Sequence, residues 1–317
     1  MIEQKSLNSN RAYVFPGQGS QVVGMGADLY ENSPAAKDVF DAADESLGFP
    51  LSDLIFNGPV SKLKDTVNSQ PAIMTVSIAC LKAMEEELGA DTVTPKLVAG
   101  HSLGEYTSMV VAGVVGFGDA VKLVRERGRL MQDASIDRPG GMAAIIGLQE
   151  LALEEICAET GVELANINTD DQIVISGEKI AVARAMDLAG ARGARKTIPL
   201  SVSGAFHSSR MQGAEAGLAD AIKSMEFRDP VIPIISNSDS APLTTAQEVK
   251  DELVQGLCRC VQWKSSVNYM VDSGVSQFIE FGPASVLSGL IKRIDRSVQA
   301  VSLSDSASIK KLGIGVD

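Results

Sequence analysis

Ser102 is the side chain whose surroundings best suit covalent chemistry: it stands in Gly100-His101-Ser102-Leu103-Gly104, behind the apolar run "KLVA" and ahead of a helical pattern. A serine with glycines two residues to either side, between a strand and a helix, reads as a nucleophile elbow. Such a turn lifts the hydroxyl above the carboxyl edge of a sheet, and glycine lets the backbone bend sharply and approach its neighbours. A serine hydroxyl is a weak nucleophile near neutral pH and needs a base. The sequence holds two histidines, His101 and His207. Side chains alternate along a strand, which turns His101 away from the serine. His207, in "SGAFHSSRM", is then the candidate base; in the alternative reading it merely precedes a helix N-cap at Ser208 or Ser209.

Acyl transfer from a serine also requires hydrogen-bond donors for the oxyanion. The glycine-rich loop "PGQGSQ" follows the short strand "RAYVF" and could bring the backbone N–H of Gln18 to the elbow, with the N–H of Leu103 as second donor. The same loop lacks the lysine of a phosphate-binding loop and the complete dinucleotide-binding glycine spacing. Arg127 is the most informative charge. It falls inside the apolar helical stripe Ala120, Leu123, Val124, Leu130, Met131 and Ala134, whereas Arg125 and Arg129 do not. A core-facing guanidinium must meet an anion. Either a protein carboxylate or a substrate carboxylate meets that demand, the latter through the two-pronged geometry arginine favours.

The bulk composition narrows the classes. A net charge of -12 repels phosphate backbones and anionic lipid, so nucleic acid and membrane surfaces are excluded as partners. The longest apolar stretch, "SMVVAGVVGFG", is too short to span a bilayer, and the start, "MIEQKSLNSN", is polar; a soluble cytoplasmic protein is expected. Cys80, Cys157, Cys258 and Cys260 form no CxxC pair and read as small buried hydrophobes. With two histidines a metal site is not expected.

The elements that must position these groups follow from periodicity. After the first strand come a helix over about 33–45, a helix from about Gln70 with a proline in its first turn, the strand "KLVAG", the elbow and two helical stretches to about Asp137. Then the texture changes: "GGMAAIIGL", "QELALEEICAET", "VELANIN", "QIVISG", "EKIAVARAMDLAGA" and "RKTIPL" read as βαββαβ, the order of ferredoxin-like domains. We place this small domain at 138–202, inserted into a large domain made of 1–137 and 203–317. In the large domain a helix from Ser208, the strand "VIPIIS", helices across 245–273, the strand "QFIEF" and a helix after "GPAS" restore alternation. The fold class is α/β with a mostly parallel sheet covered on both faces.

Taken together, "VFPGQGSQVVGMGADLY", "GHSLGEYTSMVVAG", "RGRLMQ", "ANINTDDQIVISG", "GAFHSSRM", "VQWKSSVNYM" and "FIEFGPASVLSGLIKRI" resemble the malonyl-CoA:acyl carrier protein transacylase family over nearly the whole chain. The resemblance implies an α/β-hydrolase-like large domain with a ferredoxin-like insert, and a ping-pong transfer of malonyl from malonyl-CoA to the phosphopantetheine thiol of acyl carrier protein, serving fatty acid or polyketide synthesis. It implies that Ser102 is acylated, that His207 activates it with a backbone carbonyl rather than an aspartate behind it, and that Gln18 and Leu103 hold the oxyanion. Arg127 would bind the malonyl carboxylate, with Met131, Asn166 and Phe206 in the substrate pocket. No cofactor or metal, a monomer, and no partner beyond the carrier protein and CoA are expected. One departure stands out: Gly256 occupies the place of a family glutamine, harmless if only its carbonyl is used, and Phe206 resembles polyketide malonyl transferases. Arg192, Arg195 and Lys196, or Lys292, Arg293 and Arg296, are candidate carrier-docking charges unless they only complement helix C-termini. The rival activity for the same elbow is an acyl hydrolase or thioesterase.

Overall fold

Strand Arg11–Phe15 (β1) is apolar on both sides, and its residues divide between two cores with the period of two that a strand imposes. Tyr13 and Phe15 face one core with Val98, Ile234 and Phe281, while Ala12 and Val14 face the other with Leu97, Ala99, Ile235 and Trp263. This computed structural model describes residues 10–89 and 94–314, so the polar start of the chain lies outside the described residues. Strand Leu97–Gly100 (β2) pairs parallel with β1, and the register sets Phe15 beside Gly100. The loop after β1 and the elbow after β2 therefore leave the sheet side by side.

Chain order continues with β3 (Gly141–Ile146), β4 (Glu163–Thr169), β5 (Gln172–Gly177), β6 (Lys196–Pro199), β7 (Ile234–Ile235), β8 (Pro242–Leu243), β9 (Gln277–Phe281) and β10 (Gln299–Leu303). The larger sheet has the order β10-β9-β1-β2-β7-β8 and is parallel except where the edge strand β8 runs against β7. Strands β4-β5-β3-β6 form a separate antiparallel sheet, with helices Glu150–Thr160 and Lys179–Ala191 alternating with its strands in the βαββαβ order. One side of that sheet packs on those helices through Ile145, Ile173, Ile175, Leu153 and Val182. Its other side, with Met142, Ala144 and Val174, joins the core of the large sheet at Met131 and Phe206. Among the described residues no helix is long and apolar enough to cross a membrane.

Several details differ from the sequence expectations. The helix expected from Gln70 starts at Thr66 and runs to Leu88, which puts Pro71 inside it rather than in its first turn. Proline there removes one backbone donor, and burial along most of the helix outweighs that loss. The strand "VIPIIS" shrinks to Ile234–Ile235, since Pro233 has no N–H to give. The helix expected from Ser208 begins as a 3-10 turn, Ser209–Met211, capped by the Ser208 hydroxyl, and becomes α-helical at Gln212. Strand β10 and the helix Ser306–Ile314 carry no clear periodic signal. β10 lies at an edge, where polar Gln299 and Ser302 interrupt the apolar pattern. Of the cysteines only Cys80 is buried; the other three are half-buried, and all four are free thiols.

The glycines of the elbow are required by space. A Cβ on Gly100 would lie 1.8 Å from the carbonyl carbon of Gly104, and one on Gly104 would lie 1.9 Å from the carbonyl oxygen of Phe15. Backbone cannot yield as a flexible side chain does. Gly100→Ala is expected to destabilise the protein by about 3 kcal/mol or more, while Gly190→Ala, on an exposed helix position with nothing within 4 Å, should stabilise it by about 0.5–1 kcal/mol. Paired denaturant titrations check both signs.

Candidate active site

The elbow places Ser102 at φ 52° and ψ -100°, at the N-terminus of helix Leu103–Val111. Positive φ is costly for a residue with a Cβ. In return the hydroxyl projects into a cavity of about 100 Å³ lined by loops and helices that follow strands of the larger sheet and by Met142 and Asn166 of the smaller one. Gln18, Ser102, Leu103, Arg127, Met131, Asn166, Phe206 and His207, all eight residues singled out from the sequence, line this one cavity. His101, Met142, Leu200 and Val202 complete it.

His207 Nε2 lies 2.8 Å from Ser102 Oγ. The other ring nitrogen, Nδ1, faces two carbonyl oxygens, those of Gly256 at 2.9 Å and Arg259 at 3.0 Å. Carbonyls only accept, so Nδ1 carries the proton and Nε2 presents its lone pair to the serine O–H. The tautomer required of a general base is thus set by backbone alone. Gly256 supplies its carbonyl without a side chain, which answers the question raised by the missing glutamine. Burial first, and then the charge of Arg127 and the neighbouring His101, pull the His207 imidazole down to about 3. His101 lines the same cavity, but its Nε2 is engaged with Asn168 Oδ1 at 2.9 Å rather than with the serine, and burial lowers its pKa too. Burial pushes the thiols of Cys157, Cys258 and Cys260 up to about 12, and none of the cysteines reaches the cavity.

Arg127 is 4% exposed and has no carboxylate within ion-pair distance among the described residues. Its Nη1 donates to Gln70 Oε1 at 2.7 Å, its Nη2 to Ser102 Oγ at 3.1 Å, and the guanidinium lies 5.0 Å from the centre of the Tyr106 ring. Its Nε is buried without a partner. A charge this deep is normally paired. Here neutral oxygens and an aromatic face hold it instead, so the cavity presents an uncompensated cation beside a nucleophile.

Three of the six docking charges read from the sequence have partners within the chain. Arg192 pairs with Glu155 and Glu159, and Arg195 with Asp171. Lys292 and Arg293 occupy the last turn of helix Val286–Ile294, where Arg293 Nε donates to the Gly289 carbonyl. Among the described residues no group of three or more His, Cys, Asp or Glu could hold a metal ion.

A family model described as "Acyl transferase domain" matches residues 12–311. Malonyl CoA-acyl carrier protein transacylase of Bacillus subtilis (strain 168) is 44% identical over 307 residues, spanning 95% of this chain and 96% of that protein. The chain belongs to the malonyl-CoA:acyl carrier protein transacylase family. The crystal structure of an acyl carrier protein S-malonyltransferase from Vibrio cholerae superposes with a TM-score of 0.92 at 42% identity, covering 96% of this chain and 100% of that one. A malonyl-transacylase solved with its type II PKS acyl-carrier protein gives 0.93 at 39% identity, covering 97% and 100%.

Two residues that support the cavity from behind escaped sequence reasoning. Gln70 orients Arg127 with its Oε1 while its Nε2 points at Met131 Sδ at 3.4 Å. Asn237 accepts the backbone N–H of Ser102 at 2.7 Å. Gln70 reads as an ordinary helix-start residue and Asn237 as a turn former. Only the tertiary fold brings them to the site.

The chain has two histidines, which makes a titration legible. Because the His207 pKa is lowered, its imidazole should remain neutral as pH falls through 6.5, the ordinary histidine value, with the proton on Nδ1. Imidazole 15N NMR from pH 8 to 5 checks this, using a His101→Gln variant for assignment. An inflection of His207 near 6.5 would contradict the geometry.

Proposed function

We propose that this chain transfers the malonyl group of malonyl-CoA to the phosphopantetheine thiol of an acyl carrier protein through an ester on Ser102. The observation that carries the reading is the Ser102 hydroxyl placed between the basic nitrogen of His207 and the unpaired guanidinium of Arg127. Its relatives' names and the carrier-protein complex of a structural neighbour support the substrate and the partner. The finer architecture that we propose is a hydrolase-like domain at 1–137 and 203–317 carrying a ferredoxin-like insert at 138–202, supported by the two sheets and the strand order of the smaller one.

In the first half, His207 Nε2 takes the hydroxyl proton as Ser102 Oγ attacks the thioester carbonyl. The N–H groups of Gln18 and Leu103 hold the oxyanion. Collapse breaks the C–S bond, and the imidazolium returns its proton to the departing CoA thiolate. The lowered pKa keeps His207 unprotonated and able to accept the proton, and it eases the second step, since an imidazolium that holds its proton weakly releases it readily to the leaving group. The second half runs in reverse with the carrier thiol as nucleophile. One thioester becomes an ester and then another thioester, so the reaction needs neither ATP nor a metal. Arg127 pairs with the distal carboxylate of malonyl; an acetyl group leaves the buried cation bare, which is the source of selectivity.

Two outcomes are expected. Malonyl-CoA should add one malonyl mass to the protein and none to Ser102→Ala, and holo acyl carrier protein should then collect the group. Predominant free malonate would instead identify a hydrolase. Arg127→Ala should lower kcat/KM for malonyl-CoA by about 100-fold or more while acetyl-CoA turnover changes by less than about tenfold. Equal losses on the two substrates would return Arg127 to a structural role.

A further inference from the structure

Ser102 meets His207 only while its backbone is kept at positive φ, and relaxation of that turn would swing the hydroxyl away. Asn237, in the turn after β7, is bonded to the elbow at Gly100 and Ser102 and to Glu105 just beyond it. Its Oδ1 accepts the Ser102 N–H at 2.7 Å. Its Nδ2 donates to the Gly100 carbonyl at 2.7 Å and to Glu105 Oε1 at 3.1 Å, and its backbone N–H donates to the same Glu105 oxygen at 2.9 Å. Because Oδ1 meets a donor and Nδ2 meets only acceptors, the carboxamide has one orientation. It joins the end of β2, the nucleophile and the first turn of helix Leu103–Val111.

The same turn reaches the support of the base. Ser238 N–H donates to Glu252 Oε1 at 2.9 Å. Glu252 lies one turn before Gly256, whose N–H bonds back to the Glu252 carbonyl at 2.7 Å and whose own carbonyl accepts from His207 Nδ1 at 2.9 Å. Nucleophile and base thus hang from adjacent residues of one turn, Asn237 and Ser238. Asn237 is buried and does not line the cavity, so it acts on the reaction only through Ser102.

We propose that Asn237 is a positioning residue that holds the Ser102 elbow in register with His207, with the Glu105 carboxylate oxygen fixing its carboxamide. This rests on the reading of Ser102 as the acylated residue. Single-turnover acylation by malonyl-CoA, followed by quench and intact mass, tests it. Asn237→Ala and the isosteric Asn237→Asp, which turns an oxygen toward two acceptors, are expected to slow acylation about 100-fold with KM for malonyl-CoA within about threefold of the parent. Glu105→Gln, which keeps an acceptor oxygen, should retain acylation within about tenfold, whereas Glu105→Ala should fall with Asn237→Ala. Asn237→Asp carries the test where truncation leaves no folded protein. Acylation within about threefold of the parent in folded Asn237→Ala or Asn237→Asp, or a loss wholly in KM, overturns the proposal. The Ser102→Ala control separates the two readings: an adduct persisting there removes the nucleophile assignment, while its absence together with normal acylation at Asn237→Asp removes only the positioning role.

Discussion

The hydrogen bond from the Ser102 hydroxyl to His207 Nε2 exists because a residue with a side chain occupies a corner of the backbone where a Cβ is normally unwelcome. Its neighbours make room. Gly17 passes so close to the elbow that a Cβ would sit 2.4 Å from the carbonyl oxygen of His101, and Gly100 and Gly104 press against backbone in the same way. The parallel register of β1 and β2 sets this crowding, since Phe15 and Gly100 are partners and the His101 N–H bonds to the Phe15 carbonyl at 3.0 Å. The site therefore follows from sheet geometry before any chemistry is considered.

Electrostatics within the cavity follows from burial. A guanidinium kept from water without a carboxylate raises the local potential, and that potential adds to burial in keeping His207 deprotonated. The backbone carbonyls of Gly256 and Arg259 oppose the shift, yet they also fix which nitrogen holds the proton. A carboxylate behind the imidazole would have made it a stronger base and would have neutralised part of the cation that malonyl is proposed to meet. Two carbonyl dipoles orient the ring with less compensation of Arg127.

What could be read from the sequence was whatever was chemically scarce or locally patterned. Two histidines leave little choice, a glycine-flanked serine after an apolar strand is a local signature, and an arginine in an apolar stripe violates the helix's own pattern. The βαββαβ order was equally local, and the antiparallel sheet follows it. The illegible parts act at a distance. Asn237 and Gln70 are polar amides of ordinary appearance whose partners lie 135 and 57 residues away in the chain. Strand β10 was hidden because an edge strand with one side near solvent carries mixed polarity. Arg192 and Arg195 looked available as docking charges, and their acidic partners became visible only once helices and loops were placed.

The small sheet shares its inner side with the main core, so the cavity wall has two origins. The reacting serine and the guanidinium come from elements framing the large sheet, whereas Met142 and Asn166 come from the smaller one, with Leu200 and Val202 on the segment that leaves it. Because Ala165 and Ile167 exchange backbone hydrogen bonds with Val261, two residues beyond the Arg259 carbonyl that faces His207, a shift of the smaller sheet is felt on both walls of the cavity.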